Sequence, residues 1–354
     1  MCKKSIIMIG PFPPPVGGVS IHLSRLVNKL ENKYSIYKID TTKNRLKHGI
    51  LLLKLLGNSK RKSSQYIVHN HVFDIRLNVI ITFLCKLVGI KYIQTVHSFR
   101  PNKAELSKRE VSMIKFIFRN SYKVIVVSNK IKDDLLQFDK SLSKKFTVLP
   151  AFIPYEKRPE VVNKKSLEEL KIDNFIISHK IILCANASRI VTFKNQDLYG
   201  IDLTIELMKK IKELTKYSVG FIFMLPHVTN NDYYNKLINR IHEYGIEKDF
   251  VFVTEGVEMV PLLEYVDIFL RPTNTDGDAL SIREALYSGT PCIASDVVER
   301  PLGTVTFKTR DASDLYNKVL DAIKNIDEEK IKARYFGNLQ SEYIESYYQL
   351  YDVD

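Results

Sequence analysis

Short apolar runs alternate with longer amphipathic stretches along this chain, and the alternation occurs twice. In the first 150 residues the apolar runs predict strands at Ser5–Ile9, Ser35–Ile39, Tyr66–Val68, Lys91–Val96, Val124–Val127 and Thr147–Leu149. The stretches between them predict helices near Val19–Glu31, Arg76–Val88, Ser107–Asn120 and Asn129–Phe138. Such alternation favours a parallel sheet with helices on both faces.

A charged segment punctuated by proline, from Pro150 to Pro159, interrupts the pattern as an interdomain linker would. The alternation then resumes, with strands predicted at Lys180–Ala185, Ser218–Met224, Phe250–Val253, Asp267–Leu270 and Cys292–Ala294. Helices are predicted near Leu203–Leu214, Asp232–Tyr244, Ser281–Ser288 and Ser313–Asn325. The sequence therefore predicts two doubly wound α/β domains facing a cleft, residues 1–155 and 156–335.

The charge of the chain is divided unequally between these halves. Residues 1–150 carry 28 Lys and Arg against 8 Asp and Glu, a net charge of 28 − 8 = +20, whereas the remainder carries 25 − 32 = −7. Such an asymmetry indicates that the first half meets a polyanion: nucleic acid, an anionic membrane surface or a phosphorylated acceptor. A generally lysine-rich proteome would explain the total charge but explains the asymmetry less well.

One basic segment departs from the strand–helix pattern. Residues 43–62 contain seven Lys and Arg, no acid and a run of leucines. As a helix this segment would be basic and amphipathic, which is typical of an element that lies on a membrane surface. The alternative is a core helix whose lysines are solvated.

Several other classes of protein are disfavoured. The four cysteines are scattered, so neither a disulfide framework nor a structural zinc site is expected. No apolar run is long enough to span a membrane, and the apolar start leads into a proline-rich stretch without a cleavage site. We therefore expect a cytoplasmic protein that is peripheral on the inner face of the plasma membrane.

Three motifs carry candidate chemistry. Gly17-Gly18 follows the first strand and precedes a helix, where glycines let a ligand approach the free N–H groups of the helix. Arg189 and Lys194 follow the first strand of the second half, where two cations can converge on a diphosphate. Each pattern has a simpler reading, a turn in the first case and two solvated cations in the second.

The third motif is the most specific. A polar loop, Asp276-Gly277-Asp278-Ala279, leads into a helix that begins near Leu280, and Glu284 lies inside that helix. The helix N-terminus favours an anion, and carboxylates accept hydrogen bonds from sugar hydroxyls. The simpler reading is an N-capping Asp followed by a solvated Glu.

This third motif resembles the acid-x7-Glu signature of glycosyltransferase family 4, whose members are retaining enzymes of the GT-B fold, particularly those that build bacterial surface polysaccharides. The resemblance implies that Glu284 holds the donor ribose and that Asp276 contacts the donor sugar. It also implies that Arg189 and Lys194 bind the donor phosphates. In the family the first acid is usually Glu, whose side chain is one methylene longer than that of Asp276, and Asp278 offers a second acid that would compensate.

Further positions resemble the family. Gly17-Gly18 is similar to its glycine loop near the donor diphosphate, and Thr95-Val96-His97 is similar to its threonine-x-histidine, whose His approaches the reacting sugar. The stretch Tyr343–Tyr351 is similar to its last helix, so residues 336–354 are predicted to form a helix that returns to the first domain. Two neighbouring positions differ from the family. The residue after His97 is commonly Asp but is Ser98 here, and the residue after Lys194 is commonly Gly but is Asn195 here.

The resemblance implies a hexosyltransferase that uses a UDP- or GDP-sugar. The implied catalytic residues are His97, Asp276, Arg189 and Lys194, and the donor site is completed by Gly17, Gly18, Gly277, Asp278, Ala279, Leu280 and Glu284. No cofactor and no metal are expected, because Asp276-x-Asp278 lies in a loop before a helix rather than at a strand end. The first domain would take a lipid-linked glycan of capsule, O-antigen, lipopolysaccharide or exopolysaccharide synthesis, and closure of the cleft would join it to the donor.

Two other functions fit parts of the pattern. A sugar-nucleotide epimerase can share the fold, and analysis of the reaction product would distinguish it. A nucleic-acid-binding protein would explain the basic half, but no RNP-like, helix-turn-helix or zinc pattern is present, so no nucleic-acid partner is expected.

Overall fold

The computed structural model describes residues 3–14, 17–42, 57, 65–99, 106–155, 172–255, 259–339 and 343–352. The chain divides into two compact units, the first formed by Met1–Ile153 with Glu342–Asp354 and the second by Pro154–Ser341. The division lies two residues before the one predicted from the prolines. The single last helix predicted from residue 336 is replaced by two helices, Ile326–Asn338 and Tyr343–Tyr351, which lie in different units.

The first unit contains a sheet of six parallel strands in the order β2-β1-β3-β4-β5-β6. The strands are β1 (Ser5–Gly10), β2 (Ser35–Asp40), β3 (Tyr66–Asn70), β4 (Lys91–Val96), β5 (Lys123–Val126) and β6 (Phe146–Val148). The helices are α1 (Gly18–Leu30), α2 (Ile75–Val88), α3 (Lys108–Asn120) and α4 (Asn129–Leu136), followed by a 3-10 helix at Lys140–Lys145. Every residue of β1 is buried, as expected of a central parallel strand covered on both faces.

Capping side chains set where the helices of this unit begin. Asp74 accepts a hydrogen bond from the backbone N–H of Leu77 at the start of α2. Ser107 and Glu110 form a reciprocal capping box at the start of α3, which supports the predicted start of that helix.

The last helix, which we number α12 (Tyr343–Tyr351), completes the core of the first unit. Its Tyr347 and Tyr351 are fully buried in the same apolar cluster as Ile6 and Met8 of β1 and Leu23 of α1. The first unit is therefore assembled from the two ends of the chain.

The second unit repeats the topology with the order β11-β10-β7-β12-β13-β14. Its strands are β7 (Ile181–Asn186), β10 (Val219–Met224), β11 (Phe250–Val253), β12 (Ile268–Arg271), β13 (Cys292–Ser295) and β14 (Thr304–Phe307), with a separate hairpin of β8 (Thr192–Phe193) and β9 (Gln196–Asp197). Its helices are α5 (Asp173–Ser178), α6 (Ile201–Leu214), α7 (Asn231–Glu243), α8 (Val260–Leu263), α9 (Leu280–Ser288), α10 (Ala312–Lys324) and α11 (Ile326–Asn338). The prediction of two doubly wound parallel-sheet domains is confirmed.

In the described part of the chain, no helix has the length and apolarity needed to cross a bilayer. The basic segment 43–62 lies outside the described residues except for Gly57, so its predicted amphipathic helix stays a prediction.

Candidate functional site

The strand order of each unit creates a crevice at the carboxyl edge of its sheet. In the first unit the chain passes from β1 to β2 on one side and then returns to β3 on the other side. In the second unit the same reversal separates β10 and β11 from β12, with β7 between them. Ligands of open parallel sheets bind at such reversals, so each unit offers one candidate site.

Four histidines lie together at the carboxyl edge of the first sheet. His69 is the penultimate residue of β3 and His71 follows the strand, while His97 follows β4 and His22 lies on α1. The rings of His69 and His71 are 4.1 Å apart, and His22 lies 5.4 Å from His71 and 5.2 Å from His97. We refer to these four residues as the histidine cluster.

Hydrogen bonds fix the orientation of this cluster. Nδ1 of His22 lies 2.8 Å from the carbonyl oxygen of Ala151, and Nε2 of His97 lies 3.0 Å from Nδ1 of His71. Nε2 of His69 contacts the Thr95 hydroxyl at 2.7 Å, while its Nδ1 lies 2.5 Å from the Tyr351 hydroxyl. The last helix thus contacts the cluster directly.

Desolvation keeps the imidazoles of the cluster neutral. Burial lowers the pKa of His22 to about 4, an effect that the hydrogen bond to Ala151 opposes and the charge of Arg25 reinforces. Burial also lowers the pKa of His69 to about 3 and holds the pKa values of His71 and His97 well below the ordinary value. At neutral pH each ring therefore presents one N–H donor and one lone pair.

The predicted residues of the first unit are His97, after β4, and Gly17 and Gly18, at the start of α1. His97 is half-buried and belongs to the histidine cluster. Gly17 and Gly18 lie at the start of α1, where Ser20 exchanges hydrogen bonds with Gly17. The φ of Gly17 is −164°, and a side chain at Gly18 would meet no described atom within 4 Å. Neither the backbone conformation nor packing against described residues requires glycine here. The two glycines do, however, leave the N-terminus of α1 uncovered by side chains of their own.

In the second unit, two loops are pressed together at the carboxyl ends of β7 and β12. Gly200, at φ +68°, lies so close to Pro272 that an added Cβ would be 2.3 Å from its carbonyl oxygen. The backbone N–H of Asn274 donates to the carbonyl of Leu198 at 3.0 Å. These contacts hold the chain that follows the β8–β9 hairpin against the loop of the third sequence motif.

Arg189 and Lys194 both lie exposed in the segment that follows β7. Lys194 and Asn195 are the two turn residues of the β8–β9 hairpin, and both have positive φ, 50° and 60°. A two-residue turn with this conformation favours Asn and Gly, so a lysine at its first position is strained. Strain of this kind is found at functional sites, where a side chain is needed at that place.

Asp276 is held by two arginines. Its Oδ2 accepts hydrogen bonds from Arg271 Nε at 3.1 Å, from Arg300 Nη1 at 2.9 Å and from the Thr273 hydroxyl at 3.1 Å. Burial alone would raise the pKa of Asp276, but the charges of Arg271 and Arg300 outweigh it and hold that pKa well below the usual range. The carboxylate is therefore ionised, and this group of three side chains carries a net positive charge.

The remainder of the predicted donor loop continues from this network into α9. Gly277 donates its N–H to Asp276 at 3.1 Å, and Asp278 accepts from Arg283 Nε at 2.8 and 2.9 Å. Ala279 occupies the N-cap position, and no side chain caps the helix that begins at Leu280. Because the first turn also lacks an acid, its amides and dipole are suited to an anion.

Glu284 lies in the second turn of α9 and is buried, at 7% exposure. Tyr155 contacts the same helix, its hydroxyl lying 2.5 Å from that of Ser288. The structure thus brings Arg189, Lys194, the Asp276 loop and α9 to one edge of the second sheet. The roles of these residues, like that of Asp278 toward a sugar, stay predictions.

Several polar residues of these edges were not singled out from the sequence. Arg271 and Arg300 hold Asp276, and both polar side-chain atoms of Asn274 are buried without a hydrogen-bond partner among the described residues. His22 and His71 were also missed, although His69-Asn70-His71 directly after a predicted strand was an available signal.

The comparisons with known proteins agree with this geometry. Residues 179–325 match the family model described as Glycosyl transferases group 1, a segment that contains every predicted donor residue of the second unit. No curated protein matches the chain in sequence.

Solved structures match over nearly the whole chain. Anabaena HepE in complex with UDP-glucose is 14% identical with a TM-score of 0.70, and 98% of each chain is covered. A glycosyltransferase of Rickettsia africae is 15% identical with a TM-score of 0.69, covering 99% of this chain and 98% of that one. A UDP-forming trehalose-phosphate synthase of Burkholderia xenovorans is 9% identical with a TM-score of 0.69, covering 99% and 100%. At these identities the likeness shows the fold, which is GT-B, and the second unit carries the segment that matches glycosyl transferases group 1.

Proposed function

We propose that the protein is a retaining glycosyltransferase of family 4 that transfers a hexose from a UDP- or GDP-sugar to a lipid-linked glycan acceptor of bacterial surface-polysaccharide synthesis. The observation that carries the proposal is the edge of the second sheet. There, two exposed cations, an uncapped helix N-terminus and a buried glutamate lie within the segment that matches the family model.

The leaving group is the chemical problem that this edge can address. Departure of a nucleoside diphosphate develops negative charge, which the Arg189 guanidinium, the Lys194 ammonium and the amides of α9 would stabilise. These groups provide positive charge without a metal ion, so we propose metal-independent transfer. Glu284 would accept hydrogen bonds from the ribose hydroxyls.

The reacting sugar would be held by Asp276, Asn274 and His97. Asp276 would accept hydrogen bonds from its hydroxyls as an ionised carboxylate, and the buried amide of Asn274 offers a donor and an acceptor beside it. His97 would contact the sugar as a neutral imidazole. The acceptor oxygen would bond to the anomeric carbon on the face from which the diphosphate departs, and its proton would pass to the departing phosphate. No residue is assigned as a covalent nucleophile.

We propose that the first unit, which would take the acceptor, binds the inner face of the plasma membrane. Besides the +20 charge of residues 1–150, helix α2 exposes an apolar stripe. The side chains of this stripe and their exposures are Leu77 40%, Ile80 56%, Phe83 50% and Leu87 64%. Apolar side chains inserted among lipid headgroups, together with basic charge, are the two signals that bind a peripheral protein to an anionic bilayer.

The donor proposal is tested by thermal shift of the purified chain with UDP-glucose, GDP-mannose and UDP, with and without EDTA. A ligand that binds only the folded state raises the melting temperature. We expect a shift with one donor that EDTA does not change and that Arg189→Ala and Lys194→Ala each reduce. Lys216→Ala is the matched control, because Lys216 is an equally exposed cation of the same unit. A shift that survives both Arg189→Ala and Lys194→Ala contradicts the assigned phosphate site.

Product analysis then identifies the reaction. A retained anomeric configuration in a glycoside formed only with acceptor present is expected, whereas an epimerised nucleotide sugar formed without acceptor contradicts transfer. The membrane proposal is tested by sedimentation with anionic vesicles, where Phe83→Ser should weaken binding and high salt should weaken it further.

A further inference from the structure

The histidine cluster contains a set of nitrogens that the proposed sugar transfer does not use. One ring nitrogen each from His22, His71 and His97 lies within 4.8 Å of the others. His22 is fully buried and His71 is 4% exposed, while His97 is half-buried. The three residues come from α1, from the end of β3 and from the end of β4, so the strand reversal of the first sheet brings them together.

The hydrogen bond of His22 determines which of its nitrogens is available. A carbonyl oxygen can only accept, so Nδ1 of His22 donates its proton to Ala151. Nε2 therefore carries the lone pair, and it is buried without a hydrogen-bond partner among the described residues. A backbone carbonyl that fixes the ring in this way is the usual companion of a metal-ligating histidine.

His71 adds a second buried ring, one nitrogen of which faces His97. Its Nε2 is also buried without a hydrogen-bond partner in the described part of the chain, while its Nδ1 faces His97 at 3.0 Å. A buried polar atom without a partner is uncommon in folded proteins because its desolvation is not compensated. The contact between His71 Nδ1 and His97 Nε2 needs a proton on one of these two nitrogens. Neutral imidazoles can move that proton to their other ring nitrogen, which leaves both facing lone pairs, together with that of His22 Nε2, for a ligand that accepts lone pairs.

The charges of the cluster narrow the choice of ligand. Neutral imidazoles offer lone pairs but no positive charge, so they favour a metal ion over a phosphate. They are the preferred ligands of Zn²⁺ and of neighbouring transition metals, and three histidines with an open fourth position form a common zinc site. Mg²⁺ and Ca²⁺ require oxygen ligands, which these rings lack.

We propose that His22, His71 and His97 bind a transition-metal ion, with Zn²⁺ as the first candidate. The fourth position is left to water or to a polar group of a bound substrate. The site is separate from the cations of the second unit that we assign to the donor diphosphate, and its existence does not depend on sugar transfer. Where the proposed function holds, bound metal takes the lone pair of His97 and Zn²⁺ inhibits transfer.

The test is titration of the metal-free full-length chain with Co²⁺, whose visible absorption reports nitrogen ligation, followed by displacement with Zn²⁺. We expect one Co²⁺ per chain. His97→Ala should weaken binding by at least about tenfold, because even indirect partners of metal ligands cost about 10- to 100-fold. The matched control is His227→Ala, which removes an exposed histidine of the second unit and should leave the Co²⁺ affinity unchanged.

A measurement on the unaltered chain keeps the inference testable where a buried variant does not fold. X-ray absorption of the zinc-loaded protein should show three imidazole nitrogens about 2.0–2.1 Å from the metal. No stoichiometric Co²⁺ binding, an equal affinity in His97→Ala, or a zinc shell of sulfur or carboxylate ligands would each overturn it. Donor binding and transfer are measured separately in EDTA, so failure of the metal site and failure of the proposed function are distinguishable.

Discussion

The two units share a sheet topology but place opposite kinds of polar chemistry at the same edge. The first unit buries imidazoles, which avoid the cost of a buried charge by giving up their proton. The second unit buries Arg271 and Arg300, whose guanidinium groups cannot do so and are instead held by Asp276. The topology thus fixes where a site forms, whereas the residue types decide whether that site is neutral or charged.

The charged edge is the one that a single substitution should damage most. Asp276→Ala removes the carboxylate and leaves Arg271 and Arg300 buried without it, so we expect the free energy of unfolding to fall by about 3–5 kcal/mol. The measurement is urea denaturation of the metal-free chain. Glu328→Ala is the control, because the Lys332–Glu328 pair is exposed and its loss should cost about 1 kcal/mol or less. Equal losses in the two variants would remove the contrast between a buried network and a surface pair.

Acid should destabilise the first unit more than the second. The pKa values of His22 and His69 in the folded protein, about 4 and about 3, lie below the ordinary value of 6.5. The unfolded chain therefore binds more protons between these limits, and stability that is complete above pH 6.5 is lost as the pH falls. Each histidine contributes a slope of about 1.4 kcal/mol per pH unit in that window. Hydrogen exchange followed by mass spectrometry, in EDTA, should show acid-induced opening in β3 and β4 first, and opening first in β7 and β12 would reverse the assignment.

Asp197 should have the opposite dependence in the second unit. Burial, with the nearby charge of Asp202, raises the pKa of Asp197 to about 6. Below pH 6 Asp197 binds a proton in the folded state but not in the unfolded chain. Its contribution to the free energy of unfolding therefore becomes more favourable as the pH falls from about 6 toward the ordinary pKa of 3.8. Asp197→Asn removes the buried charge but keeps an acceptor for the N–H groups of Tyr199 and Gly200. The difference of about 2 pKa units corresponds to a gain of up to about 3 kcal/mol at pH 7, which should disappear near pH 4 and is measured by thermal denaturation at both pH values.

The smallest expected effect concerns the hairpin turn. Lys194→Gly relieves a left-handed backbone conformation and should raise the free energy of unfolding by up to about 1 kcal/mol. The same change removes the ammonium assigned to the donor phosphates, so donor affinity should fall. Asn195→Gly relaxes the neighbouring position and keeps Lys194, which makes it the matched variant. Should both variants bind donor equally well, Lys194 is strained for a reason other than the phosphate.

The sequence predicted the fold well where buried strands are continuous apolar runs. Every predicted strand is present within one or two residues, because β1 and β10 are buried on both faces and leave no ambiguity. The β8–β9 hairpin was missed, since its strands have two residues each and are largely polar. The short strand β14 was also missed, because its partly exposed residues give no periodic signal.

The candidate sites were predictable only in part. Glu284 and Lys194 were recognised because each lies in a local motif. The two arginines that hold Asp276 were not recognised. Arg300 lies 24 residues further along the chain and reaches Asp276 only through the pairing of β12 with β13. The histidine cluster likewise joins α1, β3 and β4. His69-Asn70-His71 was a local signal, but no spacing predicts that these side chains meet His22 and His97.

The position of the last helix has a consequence for how this protein is made. Tyr347 and Tyr351 complete the core of the first unit, yet the ribosome synthesises them after the entire second unit. While the nascent chain is extended, the apolar faces of β1 and α1 and the ring of His69 lack their final cover. The first unit therefore completes its core only after the second has been translated, and an isolated fragment of residues 1–153 would lack the two tyrosines that cover β1 and α1.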